Sequence, residues 1–249
     1  HDVFAAYPAL TITSDIAKPS HLHTHYRNKA AYSFMNHKGK LAYALFPRGI
    51  QSKKKVLQEE NILVHEMINT AAKQFLHFFN QKNMILSDIK YLILRYSYAS
   101  NTVTAHILLP ETSRKKLPWK KKELETYADN NKNIQGILVS HSNPKIRSSI
   151  TTKDFYHVGN ITITEEVLGM KYHYHPSSFF QIYPEAFSEI LKDISQYIKE
   201  IPKVNTYPLI DLFSGIGIIG IHLSEYVKNV ISVEHSPLSK EYGLMNALE

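Results

Sequence analysis

Between residues 59 and 79 apolar positions recur every three to four residues. Val64, Met67, Ile68, Ala71, Ala72, Phe75 and Phe79 make one stripe, a period that predicts an amphipathic helix. Its opening acids, Glu59 and Glu60, suit a helix N-terminus. Elsewhere in the first part of the chain the pattern is that of strands. Residues 30–46 read as a hairpin turning near His37-Lys38-Gly39, and residues 91–98 and 103–109 as paired strands about Ser100-Asn101. Residues 119–130 predict a short polar helix, 136–140 a further strand, and 161–165 with 170–174 another hairpin about Gly169. From about residue 180 the organisation changes. A second helical stripe, Phe187, Ile190, Leu191, Ile194 and Ile198, leads to an apolar run at 207–210, a glycine-rich stretch, a helix over 218–227 and an apolar run at 230–233. There is no internal repeat and no low-complexity segment.

The glycine-rich stretch, D-L-F-S-G-I-G-I-I-G at 211–220, carries the chemistry. Strand, glycine turn, helix, strand and then an acid, Glu234, is the opening half of a nucleotide-type α/β site. The glycines let the backbone pass close to a ligand, and a helix N-terminus offers free N–H groups. An acid ending the second strand can accept two hydrogen bonds from a ribose diol. Gly215-x-Gly217-x-x-Gly220, with Glu234 nineteen residues after Gly215, also matches the dinucleotide pattern. Asp211 separates the two: a carboxylate beside the turn would repel a pyrophosphate but favour the sulfonium and ammonium of S-adenosylmethionine. A dinucleotide and a ligand-free structural turn stay open as alternatives.

Upstream, H-P-S-S-F-F-Q-I-Y-P-E-A-F at 175–187 sets a polar Gln181 among aromatic and apolar neighbours. An ordinary loop entering a helix accounts for the helix but not for Gln181. With Ser178-Phe179-Phe180-Gln181, Asp211-Leu212-Phe213-Ser214-Gly215 and Val233-Glu234 in this order, the chain resembles the S-adenosylmethionine-dependent RNA (uracil-5-)-methyltransferases, which make 5-methyluridine in transfer or ribosomal RNA. Tyr26-Arg27-Asn28-Lys29 looks like the segment entering that family's central domain, and Gly243-Leu244-Met245-Asn246-Ala247 resembles its A-x-x-N-A helix. The resemblance is spread over residues 26–249. It implies an α+β central domain (1–175) followed by the beginning of an α/β Rossmann-like methyltransferase domain (176–249). It also implies S-adenosylmethionine as cofactor, with Gln181, Phe213, Gly215, Gly217 and Glu234 as its binding residues.

Charge supports an RNA partner. The net charge is +7, but residues 1–170 carry +10 and residues 171–249 carry −3. The excess therefore lies outside the cofactor motifs, in clusters such as Lys53-Lys54-Lys55, Arg114-Lys115-Lys116 and Lys120-Lys121-Lys122. A solvated face is the ordinary reading of any one cluster. Together with Arg27 and Lys29, residues Lys53, Lys54, Lys55, Lys115 and Lys116 make an expected RNA-binding surface, whose affinity falls with salt. Phosphate contacts of this kind position an RNA without choosing a base. Tyr26, Tyr32, Tyr43, Tyr96 and Tyr98 could stack unpaired bases, although their alternation with apolar residues makes packing the expected role. No DNA or membrane partner is expected.

The chain has no cysteine, which excludes disulfides and thiolate metal sites. No apolar run approaches eighteen residues and no secretory signal opens the chain, so a cytoplasmic protein is the expectation. His1 in place of Met leaves room for a trimmed leader. His21, His23 and His25 alternate as H-x-H-x-H, but no acid or cysteine completes a ligand pattern and no metal is expected. His173 and His175 lie close to the S-F-F-Q segment, where exposed or hydrogen-bonded loop histidines are the ordinary reading and cofactor contact the alternative.

In the family that the chain resembles, a cysteine thiolate adds to carbon 6 of uracil and the resulting enolate takes the methyl group at carbon 5. A base then removes the carbon-5 proton and the cysteine departs; the uridine must also leave its stack. The resemblance places the Cys, the basic Glu and a D-P-P-R Asp after the A-x-x-N-A helix, where this sequence ends at Glu249. Ser214 stands where the family turn often has a non-nucleophilic Cys. The 249 residues alone are thus expected to hold part of the cofactor site, no catalytic nucleophile, and an uncovered sheet edge. A non-catalytic RNA-binding relative and a dinucleotide oxidoreductase fragment are the competing readings.

Overall fold

The computed structural model describes residues 23–45, 55–111, 117–143, 145 and 153–249. Its first part is one seven-stranded sheet in the order β3-β2-β1-β4-β5-β6-β7. The strands are β1 (Lys29–His37), β2 (Lys40–Leu45), β3 (Val56–Leu57), β4 (Tyr91–Ser97), β5 (Thr102–Pro110), β6 (Ile134–Ser142) and β7 (Lys153–Gly159). Neighbours are antiparallel except β5 and β6, which run parallel because helix α2 (Lys121–Asn130) carries the chain back between them. Helix α1 (Glu66–Gln81) lies between β3 and β4 in sequence.

Side-chain alternation divides this sheet into two unlike faces. Tyr32, Phe34, Leu92, Leu94, Val103, Ala105, Ile107, Ile137 and Val139 pack with Ile68, Phe75, Phe78 and Phe79 of α1 and Leu124 of α2 in one apolar core. The other face is also buried, yet polar: Arg95, Ser97, Thr104, His106 and Ser140 are at most 2 % exposed. The hairpin β8 (Ile163–Val167) and β9 (Met170–Tyr174) meets that polar face, where the Ser97 hydroxyl donates to the Thr164 carbonyl at 2.5 Å.

The second core joins Ile163, Val167, Tyr172 and Tyr174 of the hairpin to Phe180, to Phe187 and Leu191 of α3 (Pro184–Lys199), and to Ile216 and Ile218. A line drawn at 175/176 passes through this cluster. Beyond α3, strand β10 (Pro208–Leu212), helix α4 (Ile218–Leu223) and strand β11 (Asn229–Val233) form a parallel pair with a helical crossover, and α5 (Pro237–Ala247) follows. Asp211 and Val230 face the crossover helix, while Ile210, Leu212, Ile231 and Val233 are each about half exposed on the opposite face.

Two predicted helices differ from those observed. The helix expected over 59–79 starts at Glu66, because the chain before it is extended and paired elsewhere. Arg27 N–H donates to the Leu63 carbonyl and His65 N–H to the Arg27 carbonyl, each at 2.9 Å. His65 then caps α1, its ring nitrogen accepting from Met67 N–H. Val64 fits the helical stripe but is buried from this extended segment. Glu59 and Glu60 thus lie outside the helix, and Glu66 is the acid of its first turn. The helix expected over 218–227 ends at Leu223 and continues as a 3-10 turn over Ser224–Tyr226. Strands β3 and β7 were not expected; one is two residues long, and most of the other is exposed.

Candidate cofactor site

The turn after β10 is built from left-handed residues: Phe213 (φ 60°), Gly215 (φ 57°) and Gly217 (φ 86°). A phenylalanine seldom adopts that conformation, and the residue is 89 % exposed. The backbone of the turn is held at several points. Ser214 N–H donates to the Val233 carbonyl at 3.1 Å and Gly217 N–H to the Ser214 carbonyl at 2.9 Å. Gly215 faces open space, since a Cβ there would meet nothing within 4 Å.

Glu234 joins the turn to the next element. One carboxylate oxygen accepts from Gly215 N–H at 2.9 Å and the other from Ser236 N–H at 2.6 Å, while Ser236 itself caps α5. The Ser236 N–H, with help from that of Gly215, holds the Glu234 carboxyl below the usual carboxylate range. It is therefore anionic at neutral pH, and each oxygen keeps a lone pair for a further donor.

Asp211 does not act as the sequence led us to expect. Its carboxylate is 9 % exposed and accepts from Gly220 N–H at 3.0 Å, tying the strand to the crossover helix. Burial pushes its pKa above the ordinary value against the opposing pull of that N–H. A buried, internally bonded carboxylate does not present its charge to a ligand, so Asp211 does not separate S-adenosylmethionine from a dinucleotide. Gly220 is required for the same contact. A Cβ there would lie 2.8 Å from Val230 Cγ1 and 3.0 Å from Asp211 Oδ2. Gly220→Ala is expected to destabilise the protein by about 1–3 kcal/mol through overpacking, seen as a lowered midpoint in thermal or urea unfolding; an unchanged midpoint would contradict the contact.

Gln181 reaches the same region by way of the fold. Its neighbour Phe180 packs in the core with Ile216 and Ile218, the residues flanking Gly217. The segment is also moored to the first sheet. Arg95 donates to the carbonyls of Ser178 (2.6 Å) and Pro176 (3.3 Å), and Asn28 N–H to that of Ile182 (2.9 Å). Gln181 is half-buried, and its side chain makes no hydrogen bond among the described residues. Asn246, quoted above only as part of a motif, proves to be a structural tie. Its amide bonds both the N–H and the carbonyl of His173 and the carbonyl of Ile216, fastening α5 to the hairpin and the turn. No single-sequence signal distinguishes such an asparagine from a surface one.

His173 and His175 are engaged within the protein: His173 with Thr164 (2.8 Å) and Glu249 (2.8 Å), and His175 with Ser177 N–H (3.2 Å) and Asp154 (3.6 Å). A cavity of about 460 Å³ between the hairpin and α5 is lined by His173, Tyr242 and Met245 and includes none of the five expected cofactor residues. Among the described residues no group of three metal-ligating side chains occurs, and no helix is long and apolar enough to cross a membrane. His21 lies outside the described residues, and His25 Nδ1 bonds the Val64 carbonyl at 2.9 Å.

Three of the expected RNA-binding residues lie among the described residues. Lys55 reaches the Phe34 carbonyl at 2.6 Å, Arg27 lies over the ring of Tyr26, and Lys29 is half-buried. Lys53, Lys54, Lys115 and Lys116 fall outside the described residues. Tyr32, Tyr43 and Tyr96 are buried in the core, while Tyr98 is 44 % exposed.

The family model for tRNA (uracil-5-)-methyltransferase matches residues 12–248. The chain belongs to this family. An uncharacterized RNA methyltransferase of Lactobacillus johnsonii is 27 % identical, over 85 % of this chain and 46 % of that protein. The 23S rRNA (uracil(747)-C(5))-methyltransferase RlmC of Xenorhabdus nematophila is 24 % identical, over 60 % of this chain and 38 % of that protein. The crystal structure of Pyrococcus abyssi tRNA (uracil-54, C5)-methyltransferase in complex with S-adenosyl-L-homocysteine superposes with a TM-score of 0.69 at 18 % identity, over 90 % of this chain and 53 % of that one. The mixed sheet with its helices is thus the fold of a family member. The chain spans about half the length of the curated relatives it matches.

Proposed function

We propose that the protein transfers a methyl group from S-adenosylmethionine to carbon 5 of a uridine in a structured RNA, tRNA or rRNA. In this reading residues 1–175 are an RNA-facing α+β domain. Residues 176–249 begin a Rossmann-like methyltransferase domain, and the protein works in the cytoplasm without a membrane or DNA partner. The observation that carries the reading is the turn bracketed by Gly215 and Glu234. An open glycine backbone lies beside an anionic carboxylate at the end of the next strand, with an exposed Phe213 ring at the same turn.

These residues suit the cofactor. Glu234 has lone pairs for two ribose hydroxyls, Gly215 and Gly217 leave the backbone uncovered, and Phe213 and Gln181 supply an apolar ring and an amide. When bound, S-adenosylmethionine provides an electrophilic methyl group on sulfur. The chain's own residues hold and orient it, and Arg27, Lys29 and the lysine clusters hold the RNA. The 249 residues contain no cysteine, so the nucleophile of the family's chemistry is not among them. We expect the chain alone to leave RNA unmethylated.

Carbon-5 methylation must expel the carbon-5 proton. The intact protein, given S-adenosylmethionine and a transcript labelled with tritium at carbon 5 of uridine, is expected to release tritium in step with methyl incorporation. Methyl incorporation without tritium release would place the methyl group elsewhere and refute the reading.

A further inference from the structure

On the polar face of the first sheet, Lys29 of β1 stands directly opposite Arg95 of β4 in the antiparallel register. Residues so paired have Cβ atoms about 5 Å apart, and like charges there are destabilising. Arg95 is 2 % exposed, and its Nη1 is buried without a hydrogen-bond partner. Lys29 is the member that reaches solvent, and its ammonium makes no hydrogen bond or ion pair among the described residues. His106, on the same face and 1 % exposed, has an unpartnered ring nitrogen, Nδ1, but burial brings its pKa down to about 3, so it is neutral and adds no positive charge.

The negative charge available is small. The Glu165 carboxylate beside Arg95 is turned to the N–H of Tyr98 (3.2 and 3.3 Å), and burial raises it to about 7. Asp154 is bonded to Ser140 and faces His175. Burial, and then Arg95, brings Lys29 down to about 8. Two adjacent cations lacking a full counter-charge on a half-enclosed face call for an anion from outside. The same Arg95 holds the carbonyls of Pro176 and Ser178, so this charge lies against the segment that carries Phe179 and Gln181.

We infer that Lys29, backed by the buried charge of Arg95, is a docking point for a phosphodiester group of the substrate RNA, set between the first sheet and the Gln181 segment. The inference rests on the functional reading above. Lys29 makes the direct contact, while Arg95 adds its field and fixes the backbone alongside. A phosphodiester suits the pair because it is anionic at every physiological pH and accepts ammonium donors. Its contact there would anchor the strand next to the segment expected to meet the cofactor.

The test uses the intact protein and a uridine-containing RNA stem-loop, with binding followed over a salt series. Lys29→Met keeps the aliphatic stem and removes the charge. Its slope of log affinity against log salt is expected to be shallower by about 0.7–0.9, one phosphate contact. Affinity at low salt should fall several-fold, and Lys29→Arg should restore both. Without RNA, Lys29→Met is expected to melt no lower than the parent, because the like-charge opposition is relieved. A methylphosphonate at the contacted position of the RNA should abolish the difference between parent and Lys29→Met.

An unchanged slope in Lys29→Met overturns the site while leaving the functional reading intact. So does a difference between parent and Lys29→Met that persists whichever RNA phosphate is replaced by a methylphosphonate, which would assign a free anion instead. A parent protein that binds no RNA overturns the functional reading and this site with it.

Discussion

Glu234→Ala is expected to weaken S-adenosylmethionine binding by roughly a hundredfold. Hydrogen bonds to a charged acceptor are worth about 1.5–3 kcal/mol each, and a ribose diol offers two donors. Losing both approaches 3 kcal/mol, which is about two decades in affinity. The substitution also frees the N–H groups of Gly215 and Ser236 and loosens the turn against α5. Glu234→Gln keeps the shape and one acceptor and should fall between parent and alanine. Because those N–H groups hold Glu234 below the usual carboxylate range, its stabilising contribution is present above the ordinary carboxylate pKa. It is lost only as pH falls through the depressed native value. Affinity should therefore survive acidification through the ordinary carboxylate range. Calorimetric titration of the intact protein with S-adenosylmethionine decides the matter; parent-like affinity in Glu234→Ala would remove the proposed cofactor site.

What could be read from the sequence was whatever local rules dictate. The hairpin turn at Lys38-Gly39, with φ 51° and 81°, needs residues that tolerate the left-handed region, and lysine followed by glycine between alternating runs announces it. The glycine turn and the acid ending β11 follow from spacing alone. The start of α1 was not legible in this way. Val64 satisfies a helical stripe as well as a strand, and the choice was made by Arg27, far away in sequence, which takes up the backbone groups of Leu63 and His65. Tertiary pairing overrode a local pattern.

Asp211 shows a different limit. A charge at a strand end can face a ligand or a neighbouring helix, and spacing is the same in both cases. The close approach of α4, made possible by Gly220, turns the carboxylate inward. The family assignment consequently stands on the match over residues 12–248 and not on the charge of Asp211. The polar face holding Arg95, His106 and Ser140 was also hidden. Buried charged residues read as exposed ones in a sequence, and nothing local says that a second core will cover them.

Arg95→Met should be the most damaging single substitution for stability. Arg95 is buried, donates to two carbonyls of the Gln181 segment, lies over the ring of Tyr174 and is the cation beside Glu165. Hydrogen bonds from a charged group are worth about 1.5–3 kcal/mol each, so losing the two to Pro176 and Ser178 costs about 3–5 kcal/mol. At 249 residues that lowers the melting temperature by on the order of 10 °C. The pH dependence identifies the cause. Glu165 is raised to about 7 by burial even with Arg95 present. A carboxyl raised in the folded state favours folding below its ordinary pKa and loses that contribution as pH rises through the native value. Without Arg95 the native value rises further, so Arg95→Met should recover part of its deficit at pH 5 relative to pH 8. Adding Glu165→Gln should remove that recovery and raise stability at pH 8. Arg95→Lys keeps a charge but not the fork that reaches both carbonyls, so it should melt closer to the parent while binding S-adenosylmethionine more weakly. A lysine variant that matched the parent in both would show that the mooring of residues 176–182 does not position Gln181.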